Sequence, residues 1–279
     1  MIKRIGILYH PSVLAIDIKV QELTAFFRSR GISVWTCSSW ETSKAVDCLD
    51  STDLIITAGG DGTILRAAQV ALQSQIPIIG INMGNLGFLT ELKADQAIER
   101  LPELLAAKGW LDERTMLEAE LETEQSNGRP AIFHALNDVV LARGAIPKLI
   151  QIETSIDDKS LTTYRADGVI LATATGSTGY SLAAGGPVLH PQSADILLVP
   201  IVSHLSLGYS LVLPSTSLIT LRVTTSTQAS LSIDGHTNIP VPNGYVIRVK
   251  KSAQKTRFLR LYPQNYFFNV LEEKLRGKK

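Results

Sequence analysis

At 279 residues, with 45% hydrophobic and 19% charged residues, the chain is long enough for two domains and has the balance of a globular protein that buries a core. A formal charge of +1 gives no general basic field for nucleic acid or a membrane surface, so any polyanion site must be local, and the Lys/Arg-rich end at 274–279 reads as a solvated tail. The apolar stretch near the start is too short for a signal peptide and no run approaches a membrane span, which makes the cytoplasm the expected location.

From residue 4 to about 111, apolar strands alternate with helical patterns. Strand 5–9 precedes helix 20–30. Strand 33–37 follows, then strand 54–57 before helix 64–73, strand 76–81 and helix 97–107. That order predicts a parallel sheet with covering helices. Cys37 and Cys48 have no His or Cys at zinc-ligand spacing and read as reduced structural thiols.

The most informative segment is 53–66. Leu54, Ile55 and Ile56 form the short apolar run of a strand covered on both faces, and Gly59-Gly60-Asp61-Gly62-Thr63 then turns into the helical pattern. Three glycines permit torsions closed to other residues, so several N–H groups can converge on an anion at the positive end of the helix. Asp61 is the odd member. A carboxylate in a phosphate cradle repels its ligand unless it binds a metal or takes a proton from an attacking hydroxyl, and both uses point to phosphoryl transfer. The competing reading is a plain strand-to-helix turn with Asp61 as the helix cap. The dinucleotide fingerprint fails at Leu65, and no Walker ending occurs. The strand ends at His10 and in the 80–87 segment fall on the same sheet edge as this turn, where ligands of such sheets bind.

After Trp110 the pattern becomes period-two, with strands at 116–122 and 218–223 and turn signals at 126–128, 157–158 and 242–244, which predicts antiparallel β structure. Without a Pro/Gly-rich linker, the junction near Glu113 is expected to be tight, with a rigid cleft between domains. Asn137-Asp138 sits inside an apolar strand pattern, 132–141, where an amide beside a carboxylate needs partners. It either caps a bend or binds a polar ligand. Asp167 precedes strand 169–171, and the small-residue loop at 173–184 offers the hydroxyls of Thr175, Ser177, Thr178 and Ser181, with Tyr180, for a ribose or base to approach; a turn with satisfied hydroxyls explains the loop equally well. Asp234-Gly235-His236 reads as a hairpin turn, the end at 268–276 as a helix, and His10, His134, His190 and His204 as structural or surface residues.

Taken together, Gly59-Gly-Asp-Gly-Thr63, Asn137-Asp138, Asp167-Gly168 and the Thr175–Pro187 element resemble the NAD kinase family in content, order and spacing over nearly the whole chain. The resemblance implies an α/β nucleotide-binding domain at 1–112 rejoined by 260–279, and a β-rich, antiparallel dinucleotide-binding domain at 113–259. It implies homodimers or homotetramers whose subunits complete one another's sites, and the reaction of ATP with NAD to give ADP and NADP. Asp61 then matches the proton acceptor for the adenosine ribose 2′-hydroxyl, with Gly59, Gly60, Gly62 and Thr63 around the nucleotide. Asn137 and Asp138 match the family's Asn-Glu pair, one methylene shorter at the second position. Asp167 matches the aspartate at the nicotinamide end, and Thr178, Gly179, Tyr180, Ser181, Leu182 and Ala183 match the loop around an adenosine, Gly179 replacing the usual alanine. Arg66, Lys148, Arg165, Thr175 and His236 fall where some members contact ligand. Mg²⁺ is expected to be carried mainly by nucleotide phosphates rather than by a protein cage. Two other readings share these residues: a lipid or sugar kinase that uses Asp61 on a different hydroxyl, and a non-catalytic NAD(P) sensor.

Overall fold

The structure, a computed structural model, describes residues 2–11, 14–84, 87–106, 108–122, 129–146, 148–201, 208–224 and 228–276. The turn signal at 126–128, His204 and the last residues of the basic tail lie outside them. The chain divides into two compact units, Met1–Glu113 with Lys255–Lys279, and Arg114–Gln254.

In the first unit, strands β1 (Arg4–Tyr9), β2 (Ser33–Ser38), β3 (Leu54–Gly59) and β4 (Ile78–Asn82) pair in parallel in the order β4-β3-β1-β2. β3 and β4 are buried along their whole length, as expected of strands covered on both faces. Helices α1 (Leu14–Arg28), α2 (Thr42–Asp47), α3 (Asp61–Ala71) and α4 (Ala97–Leu105) form the connections, with a two-residue strand, β5 (Leu92–Lys93), beside β4. The sequence pattern did not show α2, which at six residues is too short for a helical period to register. Apolar residues of α1 and α4 share one core with the strands.

β6 (Trp110–Glu122) begins in the first unit and, in the second, pairs antiparallel with β7 (Ala131–Ala135). A six-stranded antiparallel sheet has the order β13-β12-β11-β8-β15-β16 among the described residues. Its strands are β8 (Asp138–Arg143), β11 (Gly168–Ala172), β12 (Ile196–Ile201), β13 (Leu211–Leu213), β15 (Ala229–Ile233) and β16 (Thr237–Val241). β9 (Ile150–Ile156), β10 (Lys159–Ala166), β14 (Ile219–Val223) and β17 (Val246–Arg260) form the facing strands. Inward residues of both layers, such as Leu141, Leu171, Tyr164 and Leu221, make one core. Asp157 and Asp158 (φ 49° and 63°) form the hairpin turn predicted between β9 and β10, and Asp234 and Gly235 (φ 50° and 70°) the one between β15 and β16. β17 begins in the second unit and ends in the first, where Phe258 pairs with Ile78; a one-turn helix, α5 (Tyr180–Ala183), follows β11, and helix α6 (Tyr266–Leu275) follows β17. Among the described residues no helix is long and apolar enough to cross a membrane.

One predicted strand is corrected. The apolar pattern at 132–141 is two strands, β7 and β8, which belong to different sheets; Leu136 and Asn137 make the corner between them.

Candidate functional site

β3 delivers the glycine turn to the C-terminal edge of the parallel sheet. Gly60 is the N-cap of α3, and Asp61 is its first helical residue, so Asp61 does not cap the helix. Its two carboxylate oxygens accept hydrogen bonds from the next sheet-edge segment instead: Phe88 N–H at 2.8 Å and Leu89 N–H at 3.1 Å. Gly87 is obligatory beside it, because a Cβ there would sit 2.1 Å from Asp61 Oδ1. The expected role of the motif glycines is corrected. Gly60 has φ −101°, and among the described residues the glycines at positive φ are Gly31, Gly185, Gly235 and Gly244. Gly59 provides room rather than a torsion, since its Cβ would meet the Thr63 hydroxyl at 2.2 Å; Gly60 and Gly62 are exposed with nothing within 4 Å, leaving their backbone open to a ligand. Thr63 Oγ1 is buried without a hydrogen-bond partner, and Arg66 lies half-exposed further along α3.

In the second unit, the corner at Asn137-Asp138 is held by a residue that sequence reasoning took for a turn alone. Asp234 in the β15–β16 hairpin accepts three backbone N–H bonds, from Leu136 at 2.9 Å, Asn137 at 2.7 Å and Asp138 at 3.1 Å. Nothing local distinguishes such an aspartate from any Asp-Gly turn residue. His236 closes the hairpin with its ring nitrogen 3.1 Å from the Asp234 carbonyl. Asn137 Oδ1 is buried with no partner, as a group awaiting a ligand would be.

The loop after β11 packs on this corner. A Cβ on Gly176 would lie 2.0 Å from the Asn137 carbonyl oxygen, so only glycine fits there. Two of the four hydroxyls expected to face a ligand, those of Ser177 and Thr178, tie the loop to itself, and Thr173 ties it to the corner. Thr173 donates to the Leu136 carbonyl, Ser177 to Ala174 and Thr178 to Thr175. Thr175 Oγ1 accepts from the buried guanidinium of Arg114, at 3.3 Å, a cation the sequence reading did not single out. Ser181 Oγ remains without a partner, and Tyr180 stands half-exposed ahead of Leu182 and exposed Ala183. Gly179 has φ −100°, and a Cβ there would find Gly176 O at 3.3 Å and Asn137 Nδ2 at 3.5 Å, so the family's alanine would fit closely.

A cavity of about 470 Å³ runs along β8 and β15 and is lined by Asn137, Asp138, Arg143, Tyr180, Ser232 and Asn238, among others. Asp167 does not join the 178–183 loop. It lies just before the opposite end of β11, paired with Arg143 at 2.7 Å, and five residue steps of about 3.3 Å separate Asp167 from Ala172 at the loop end by roughly 17 Å. Exposed Lys148 and Arg165 adjoin the Asp167 end, where Ala166 pairs with Ile150.

Burial pushes the Asp138 carboxyl up to about 7, and the nearby Asp234 charge adds to the rise. Burial also raises Asp234, against the lowering pull of three backbone amides and His236. A carboxyl raised in the folded state contributes stability that is fully present below its unfolded value near 4 and is lost as pH climbs through about 7. Asp138→Asn, which cannot ionise, should therefore gain on the parent protein between pH 5 and pH 8, by on the order of 2 kcal/mol in urea unfolding. An unchanged difference at the two pH values would mean that Asp138 ionises as an exposed aspartate does.

Among the described residues, no three His, Cys, Asp or Glu side chains form a group that could hold a metal ion. A carboxylate on a glycine turn at the carboxyl edge of a parallel sheet, joined to a β unit with a second polar loop, defines a phosphotransferase of the two-unit α/β class. The model of the ATP-NAD kinase N-terminal domain matches residues 13–109, and that of the ATP-NAD kinase C-terminal domain matches residues 136–261. The chain belongs to the ATP-NAD kinase family. It is 49% identical over 279 residues to the NAD kinase of Dehalococcoides mccartyi strain CBDB1, covering 99% of this chain and 97% of that one. The NAD kinase of Chloroflexus aggregans is 39% identical over 277 residues, with 99% of each chain covered. Among solved structures, yeast NADH kinase complexed with NADH superposes with a TM-score of 0.87 at 27% identity, over 100% of this chain and 89% of that one. An Archaeoglobus fulgidus NAD kinase in complex with ATP shares the fold, with a TM-score of 0.77 at 24% identity, over 99% and 100% of the two chains.

Proposed function

We propose that this protein transfers the terminal phosphoryl group of ATP to the adenosine ribose 2′-hydroxyl of NAD, with Asp61 as the proton acceptor. The observation that carries the reading is the placement of Asp61: at the ligand-binding edge, outside its own helix cap, with each oxygen fixed by one backbone amide and lone pairs left over. The 2′-oxygen forms a bond to the γ-phosphorus, the bond from phosphorus to the β,γ-bridging oxygen breaks, ADP departs, and the hydroxyl proton passes to Asp61. A loose phosphoryl-transfer transition state asks for positioning and charge neutralisation more than for a strong nucleophile, so a carboxylate suffices without a Walker lysine.

Magnesium carried mainly by the ATP phosphates would supply neutralisation of the charge that develops there. Asn137, with an unpaired buried oxygen, and the 178–183 loop with Tyr180 receive the adenosine of NAD. Asp167, at the far end of β11 and paired with Arg143, meets the nicotinamide end of NAD, and a homodimer or homotetramer is the proposed working form. Two free cysteines suit the reducing cytoplasm as the place of action.

A coupled assay of NADP formation, with ATP or polyphosphate as donor and NAD or NADH as acceptor, tests the reading. Phosphoryl transfer from ATP to NAD is the expected result. Binding of NAD without turnover under any donor would favour the sensor, and phosphorylation of a lipid or sugar alcohol in its place would move the protein to the other kinase class.

A further inference from the structure

The Asp61 carboxylate is held by a segment that has no strand or helix of its own, since Gly87, Phe88 and Leu89 lie between β4 and β5 in irregular backbone. That segment is fixed from behind by the returning C-terminal chain. Arg260 Nη1 donates to the Leu89 carbonyl at 2.8 Å and to Glu91 Oε2 at 3.1 Å, while its Nε donates to Asp112 Oδ2 at 3.2 Å. The other Glu91 oxygen accepts from the backbone N–H groups of Leu261 and Tyr262, both at 2.7 Å. Arg260, Glu91 and Asp112 are 6%, 8% and 1% exposed, and the guanidinium carbon lies 4.6 Å from the Phe258 ring centre. Helix α6 adds a second brace, with Phe267 6.4 Å and Lys274 Nζ 5.3 Å from the Phe88 ring.

A buried arginine with two carboxylates is a poor device for stability alone, because desolvation offsets most of the attraction and well-packed apolar side chains of similar volume do as well. What apolar side chains cannot do is hold a backbone carbonyl at one place. The carbonyl so held belongs to Leu89, whose own N–H, one peptide plane earlier, holds Asp61 Oδ1. We infer that Arg260, locked by Glu91 and Asp112, is a positioning residue that sets the Asp61 carboxylate through the Leu89 backbone; the inference rests on Asp61 being the proton acceptor. Displacements of about 1 Å at a group that orients reactants cost on the order of a hundredfold in rate, so the network acts on kcat.

Arg260→Gln removes the charge and the second donor, and Glu91→Gln tests the same network without touching Arg260 should the first variant fail to fold. In either folded variant kcat should fall by about ten- to a hundredfold while KM for NAD and for ATP stays within about threefold. Amide hydrogen exchange at Phe88 and Leu89 should quicken while that of β3 is unchanged, and Arg260→Lys should recover part of kcat. A kcat within about twofold of the parent, unchanged exchange at the two amides, or equal quickening in β3 overturns the inference. The two failures separate cleanly. Full turnover in Asp61→Asn removes the acceptor role itself, whereas an inactive Asp61→Asn beside a fully active Arg260→Gln removes only the positioning role.

Discussion

Asp61→Asn is expected to lower kcat by about 10³-fold while NAD affinity stays within about tenfold, since loss of a general base typically costs two to four powers of ten. An amide keeps one oxygen to accept from Phe88 or Leu89 and can still hydrogen-bond a ribose hydroxyl, but it cannot take the proton. The defect therefore falls on chemistry rather than binding. Turnover assays at saturating ATP, paired with calorimetric titration of NAD, separate the two. A variant with near-parental kcat would reduce Asp61 to a brace for the segment after Gly87 and would leave the phosphotransferase without an acceptor among the residues named.

The largest effect on stability is expected from Asp234→Ala. The carboxylate satisfies three consecutive backbone N–H groups at the corner between β7 and β8, and alanine would leave all three unpaired in a site where Leu136 and Asp138 are buried. Each orphaned buried donor costs about 1–3 kcal/mol, and alanine tolerates the φ of 50° at this position less well than aspartate does. A loss of about 4 kcal/mol in urea unfolding is the expected result, with weaker NAD binding in whatever fraction remains folded. A loss under about 1 kcal/mol would show that the corner stands without Asp234, and the account of Asn137-Asp138 as a carboxylate-held turn would fail.

Chemistry was legible where it is encoded by neighbours in the chain. The apolar run at Leu54 to Ile56 followed by Gly-Gly-Asp-Gly-Thr marks a buried strand, a turn and a helix start within a few residues, and β3 and α3 follow that order. The hairpin turns at Asp157-Asp158 and Asp234-Gly235 were legible for the same reason, since residues that tolerate positive φ announce themselves. Alternating apolar and polar residues likewise predicted the antiparallel strands, because period two is a property of the strand alone.

What the sequence by itself determined, then, is the two-part architecture, the family, and the residue types at the phosphoryl-transfer turn. Tertiary structure alone decided which of these residues have partners. The break between β7 and β8 is invisible in the apolar pattern at 132–141 because both strands bury alternate residues in one core, although they belong to different sheets. Asp234 reads as any turn aspartate until the hairpin brings it against amides 96 to 98 positions away. Arg260 reads as one more charge in a polar strand until folding sets it against Leu89 and Glu91, 171 and 169 positions earlier. The physical reason is common to all three. A turn or a period is fixed by torsions and by neighbours within a few residues, whereas the satisfaction of a buried polar group depends on what distant chain is delivered to it, and no local pattern records that delivery.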